Sequence, residues 1–181
     1  WWDFLNDIIK NNDHISFGKN TYECKTDKTK NLLYIKLSKK ILEMGPEIKK
    51  KFSDMFNLSY VDVVSKYSYL LADWDDVIDL KKEKLCTIAA HTKTHLGLKF
   101  CSNQYVLQDF LDSKNDLEKK LNLNIDHLAY PFGTHYSVGK REYKLAQLAG
   151  YKSATIQFPT PIYKYHYKKM HCIPRINVSS V

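Results

Sequence analysis

Apolar and polar positions alternate along the chain in blocks whose spacing changes from helical to extended and back. "WWDFLNDIIK" puts Trp1 or Trp2, Leu5, Ile8 and Ile9 on one face at helical spacing. "NNDHISFGKNTYECKTDKTK" is polar and turn-rich, with two short strands predicted at 15–17 and 21–24. Residues 32–44 read as a helix ended by Gly45–Pro46, and 47–56 as a second. "ADWDDVIDLKKEK" opens acidic and closes basic, which suits a helix dipole. "LCTIAA", 85–90, is a short continuous apolar run and predicts a buried strand.

The second half repeats the alternation. A helix is predicted over 103–123, with Leu107, Phe110, Leu111, Leu117 and Leu121 on one side. "DHLAYPFG" predicts a strand stopped by Pro and Gly, "GKREYKLAQLAGY" a helix closed at Gly150, "KSATIQF" a strand, and "HCIPRINVSSV" an extended segment. Helix, strand, helix, strand with short connections implies a parallel sheet flanked by helices, of α/β or barrel type. We take residues 1–181 as a single domain.

Composition changes this picture little. Hydrophobic residues make up 44% and charged residues 27%, as in ordinary globular chains. No apolar run reaches the roughly 20 residues needed to span a bilayer. The net charge is +8 and the pI about 9.1. The lysines are interleaved with Asp, Glu and Asn, so nucleic acid is not an expected partner. The four cysteines, Cys24, Cys86, Cys101 and Cys172, form no C-x-x-C pair and are expected as free thiols.

The candidate chemistry gathers where the predicted strands end, the place where α/β folds keep their sites. His91 and His95 follow the 85–90 run. Four positions apart on a helical turn, both imidazoles would face one side and share one ion, zinc by ligand type; the alternative is two solvated histidines. A catalytic zinc takes three protein ligands, and no third is obvious nearby. "AYPFG" ends the next strand. Pro131 fixes φ and Gly133 permits close approach, so the Phe132 amide could face a developing oxyanion; the alternative is a plain strand-terminating turn. Arg175 brings either a charge to the rim or a structural ion pair.

"LADWDDVIDLKKEKLCTIAAHTKTHLGL", followed by "SKNDLEKKLN", "HLAYPFG", "LAQLAGYKSATI" and "IPRINV", resembles the polysaccharide deacetylases, the NodB-homology group of carbohydrate esterases. The resemblance covers about Trp74 to Val178, and the opening "WW…L" matches a helix lying before that motif. It implies a distorted (β/α) barrel and a divalent metal, zinc above all, held by one Asp and the two histidines of H-[ST]-x-x-H. Those fall on His91 and His95, with Thr92 bracing the loop. The implied reaction is hydrolysis of N- or O-acetyl groups on a polysaccharide or glycan. Phe132 then supplies the backbone oxyanion donor, with Tyr130 and Arg175 in catalytic positions, and Tyr130, Pro131, Phe132 and His135 line the substrate.

The sequence departs from that pattern in three places. The strand-end aspartates that carry base and third ligand belong upstream of Trp1. The usual Arg of R-x-P-[YF] falls on Ala129. The late Leu-x-His general acid is missing, with His135 and His171 as stand-ins. We therefore expect an open or incomplete barrel of roughly four or five strands. Its edges would be covered by a second copy, a partner chain or the segment 11–30, and its activity would be weak. The rival is a non-catalytic carbohydrate-binding module, for which the 13 tyrosines supply stacking surface. Compartment stays open between cytoplasm and cell envelope.

Overall fold

The computed structural model describes residues 1–176. The chain divides into two compact units, Trp1–Asp73 and Trp74–Val181.

In the first unit, α1 (Trp2–Asn11) buries Phe4, Leu5 and Ile9, close to the predicted face. Strands β1 (His14–Phe17) and β2 (Asn20–Glu23) pair antiparallel with each other. Gly18, at φ +62, supplies the left-handed step that their two-residue turn requires. The hairpin is a separate two-stranded sheet. Helix α2 (Asp27–Leu42) starts five residues before the apolar pattern does. Thr26 accepts from the Thr29 amide and the Thr29 hydroxyl accepts from the Thr26 amide, a reciprocal cap that nucleates a polar first turn. Helices α3 (Ile48–Phe56) and α4 (Tyr60–Lys66) follow. Phe4, Phe17, Phe52, Phe56 and Tyr60 meet edge-on or tilted at 4.7–5.6 Å and form this unit's aromatic core.

The second unit opens with α5 (Trp74–Lys82). The predicted strand at 85–90 does not form. Leu85 is fully exposed, and only Ala90 pairs, in a parallel bridge to Leu128. The run has the composition of a strand but one partner residue, and a ladder needs a partner along its length. Helix α6 (Asn103–Leu121) is capped by Ser102 and ends at Asn122 in the left-handed region. Its buried stripe is Val106, Asp109, Phe110, Ser113 and Leu121, while Leu107, Leu111 and Leu117 are only half-buried. The expected stripe is thus rotated toward a buried carboxylate.

Strands β3 (His127–Ala129), β4 (Ser153–Gln157) and β5 (Ile173–Arg175) form a parallel sheet in that order, with helix α7 (Lys140–Leu148) connecting β3 to β4. Among the described residues this is three strands and one bridge, short of the four or five expected: an open, incomplete barrel. Helix α7 closes in a Schellman motif. The Gly150 amide bonds to Gln147 O and the Tyr151 amide to Ala146 O, with Gly150 at φ +81. Ala154 and Leu128 are buried, and parallel register aligns the carboxyl ends of Ala90, Ala129 and Gln157 on one rim with Arg175. No helix among the described residues is long and apolar enough to cross a membrane.

Candidate metal centre on the strand-end rim

Ala90 is the anchor. Its amide donates to His127 O at 2.9 Å and its carbonyl accepts from Ala129 N at 2.8 Å, which fixes where His91 leaves the sheet. Beyond it the backbone is not helical, contrary to expectation: Thr92 (φ +65) and His95 (φ +52) are left-handed. A β-branched residue there costs about 1–3 kcal/mol and needs local compensation. Asp109 on α6 supplies it. Its Oδ1 accepts from the amides of Lys93 (3.0 Å) and Thr94 (3.1 Å), and its Oδ2 accepts from the Thr94 hydroxyl (2.9 Å). The Thr92 hydroxyl accepts from the His95 amide at 3.0 Å. The loop is thus folded around three side-chain oxygens, two from Asp109 and one from Thr92, rather than a helical ladder.

The result is the juxtaposition that the helical reading sought by another route. His91 Nε2 and His95 Nε2 lie 3.2 Å apart, with ring centroids at 4.8 Å. His91 Nδ1 lies 2.6 Å from Ala129 O. A carbonyl only accepts, so the proton sits on Nδ1, and Nε2 keeps its lone pair whenever the ring is neutral. Burial, then the charge of His91, push the His95 pKa down to about 4, so His95 is neutral at pH 7. Neutral imidazole with its far nitrogen tied to a carbonyl is the form that ligates late first-row metals. The 3.2 Å gap between the two ring nitrogens is short enough for both to ligate one ion. Among the described residues, no group of three or more His, Cys, Asp or Glu side chains is arranged to hold an ion.

The "AYPFG" turn closes the other side. Phe132 and Gly133 are both at φ +60. A Cβ on Gly133 would fall 2.6 Å from Gln157 N, which instead donates to Gly133 O at 2.8 Å, so only glycine lets the turn dock on the end of β4. The Phe132 ring stands edge-on to His95, 4.9 Å between centroids. Pro131 is buried.

The other expected site residues divide between core and surface. Tyr130 is fully buried, its hydroxyl donating to His171 O at 2.9 Å, and burial pushes its pKa far up. It follows Leu128 at strand spacing and turns into the core, so its side chain cannot meet a substrate there. His135 is exposed; its carbonyl accepts from the Lys99 ammonium and its ring stands against Phe158. Arg175 is exposed on the rim, in register with Gln157. His171 precedes β5, at the opposite end of that strand from Arg175, and its Nε2–H donates to Tyr151 O at 2.7 Å, so it is not a rim acid.

Two contributors escaped the sequence reading, the Ala129 carbonyl and Asp109. No side chain signals the first. Asp109 could have been found: it is an acid on the apolar stripe of a helix, between Val106 and Phe110, and only 4% exposed. Burial raises its pKa, and its three hydrogen bonds oppose the rise.

Comparison with known proteins gives the family and the fold. The family model described as polysaccharide deacetylase matches residues 45–154, a span that includes both histidines and Asp109. Among solved structures, the Streptococcus pyogenes deacetylase PplD in complex with acetate aligns at a TM-score of 0.53 and 21% identity, over 59% of this chain and 45% of that one. A polysaccharide deacetylase from Bacillus cereus aligns at 0.50 and 22%, over 57% and 31%. The chain therefore spans less than half the length of the structures it resembles, and the likeness is one of fold. No curated protein matches it.

Proposed function

The chain belongs to the polysaccharide deacetylase family, and from that membership we propose that it forms part of a metal-dependent hydrolase removing N- or O-acetyl groups from a polysaccharide or glycan. One observation carries the metal dependence: His91 Nε2 lies 3.2 Å from His95 Nε2, with the His91 proton held on Nδ1 by Ala129 O. In this reading His91 and His95 ligate a divalent ion, zinc by ligand type. When bound, such an ion polarises an acyl carbonyl and lowers the pKa of water.

The chain's own groups do the rest. Ala129 O keeps the His91 lone pair aimed at the ion. Asp109 holds the loop, so that both nitrogens stay at bonding separation. The Phe132 amide, at the left-handed turn beside His95, donates to the oxyanion as the carbonyl becomes tetrahedral. Phe132, set by the buried Pro131 before it, forms the wall against which the acetyl methyl packs, and His135 and Arg175 flank the sugar. The third ligand and the carboxylate base come from residues other than those described. The observation that favours the rival reading, a carbohydrate-binding module without catalysis, is the stack of half-exposed Tyr163 and Tyr165, a face on which sugar rings pack.

Calorimetric titration of the metal-free chain with zinc tests the proposal. One site should appear per chain, and His91→Ala or His95→Ala should weaken it more than about 100-fold, beyond the 10–100-fold that loss of a supporting group brings. Equal binding by either variant would sink the metal assignment. Zinc binding to the wild type combined with acetylated chito-oligosaccharide retention but no acetate release, even when a chain carrying the missing carboxylates is added, would favour the rival.

A further inference from the structure

A cavity of about 640 Å³ opens between α7 and the two 3-10 turns Lys164–Lys168 and Met170–Cys172. Four lysines line it, Lys140, Lys144, Lys168 and Lys169, with Tyr143 and Tyr167 among them. No Asp or Glu is among its lining residues. The contrast within the same chain is informative. The 870 Å³ cavity of the first unit also has three lysines, but Glu43 and Asp54 sit among them. Elsewhere too, basic side chains of this +8 chain are offset by acids, as in Lys51–Glu47, Lys93–Asp116 and Lys152–Asp126. The α7 cavity is a concave place lined by four lysines and no acid, and concavity concentrates the field.

Its aromatic surroundings add a second property. Tyr167 is 81% exposed, and Tyr163 and Tyr165, each about half exposed, stack at 5.8 Å and 14° beside it in sequence. Exposed tyrosine faces next to ammonium groups suit a ligand with apolar C–H faces and anionic substituents: a saccharide bearing carboxylate or phosphate. The cavity is also tied to the rim. Tyr143 in its wall stands 5.8 Å from Tyr130, whose hydroxyl holds the carbonyl of His171, another lining residue, and Tyr130 leads directly into the Pro131–Phe132 turn.

We propose that this cavity is a binding site for the anionic units of an acidic polysaccharide, and that it anchors the polymer whose acyl groups are removed at the rim. The second half of that statement rests on the deacetylase reading; the first does not. Lys140, Lys144, Lys168 and Lys169 pair with the acid groups, and Tyr143 and Tyr167 pack against the sugar rings.

The test uses the full chain in EDTA, so that binding is read without metal. Oligogalacturonate offers carboxylates, poly(glycerol phosphate) offers phosphates, and chito-oligosaccharide is the neutral control. Calorimetry should find at least one acid polymer bound about tenfold or more tightly than the neutral one, since charge-assisted hydrogen bonds contribute roughly that factor each. The arm that binds names the acid group. Lys144→Glu with Lys168→Glu should weaken it at least about tenfold. Lys19→Glu with Lys40→Glu, which makes the same change in net charge at the other cavity, should leave it within about twofold. If the first pair of reversals fails to fold by circular dichroism, Tyr167→Ala with Lys168→Ala replaces it, with the same expected loss. Binding in EDTA, with no metal bound, separates this site from the metal proposal. Four outcomes overturn the proposal: neither acid polymer binding, the neutral polymer binding as well, both reversal pairs weakening binding equally, or oligouridylate binding more tightly than either acid saccharide.

Discussion

Two segments that both read as strands in the sequence lead to the same rim and meet different fates. "SATIQ" becomes β4, hydrogen-bonded on both sides, with Ala154 fully buried and Ile156 only 8% exposed. "LCTIAA" stays irregular from Leu85 to Ala89, and only Ala90 enters the sheet. Composition tells that a segment would profit from burial; pairing depends on neighbours that the segment does not encode. The consequence for function is specific. The rim turn after β3 rests on a paired strand and is docked by Gln157, whereas the histidine loop hangs from one bridge residue. That loop is held instead by polar side chains, Asp109 and Thr92, at two left-handed positions.

The comparison breaks first if β4 is not the rigid partner. Ile156→Ala removes three carbons from the middle strand and should cost about 2–4 kcal/mol, the usual range for a buried aliphatic truncation. Urea denaturation reads it, and a loss below 1 kcal/mol would mean β4 is less tightly packed than its burial implies. Next comes the brace. Asp109→Ala leaves two amides and a hydroxyl without their acceptor, at about 1–3 kcal/mol of stability in all. It should also weaken zinc binding about 10–100-fold, as loss of a ligand-orienting group does. Asp109→Asn keeps one carbonyl acceptor and should recover part of both. A zinc affinity unmoved by Asp109→Ala would show that the loop holds its histidines without help.

Acid sharpens the same point. His95 has its pKa lowered from 6.5 to about 4 by burial, with a smaller contribution from His91. The unfolded chain therefore takes up the proton more readily. Stability is unaffected by this group above pH 6.5, falls between 6.5 and about 4, and is level below that. The loss should be on the order of 2 kcal/mol, allowing for the ring's partial exposure. Denaturation at pH 7 and pH 4.5 compares wild type with His95→Gln, whose amide cannot charge. An equal fall in both would assign the acid limb to other groups.

Much of the fold was legible. Helical spacing located α1 and α6, Gly150 located the end of α7, and the helix–strand alternation predicted the parallel sheet. Helix α2 began early because a capping box carries no apolar signal. At the site, the pairing of His91 with His95 was legible, but its reason was not. The expectation rested on a helical turn, and the backbone reaches the same result through two left-handed residues whose cost is met by a carboxylate fourteen positions beyond His95. Tyr130 illustrates the reverse case. A tyrosine in a strand-end motif looks like a site residue, and strand alternation turns it into the core.

The smallest expected effect bears most directly on the difference between the two runs. Leu85→Ala removes three carbons, the same number as Ile156→Ala, from the segment that failed to pair. Leu85 is fully exposed, so the folded chain gains almost nothing from those carbons, and the stability change should stay within about 0.5 kcal/mol. Urea denaturation under the same conditions gives the two values side by side. Similar losses at Leu85 and Ile156 would mean that the 85–90 run is a packed strand in solution, with a hydrogen-bonded partner along its length. His91 would then leave the sheet from a full ladder, and the Asp109 brace would be secondary. A large loss at Ile156 with none at Leu85 leaves Ala90 as the single point from which the histidine loop is hung.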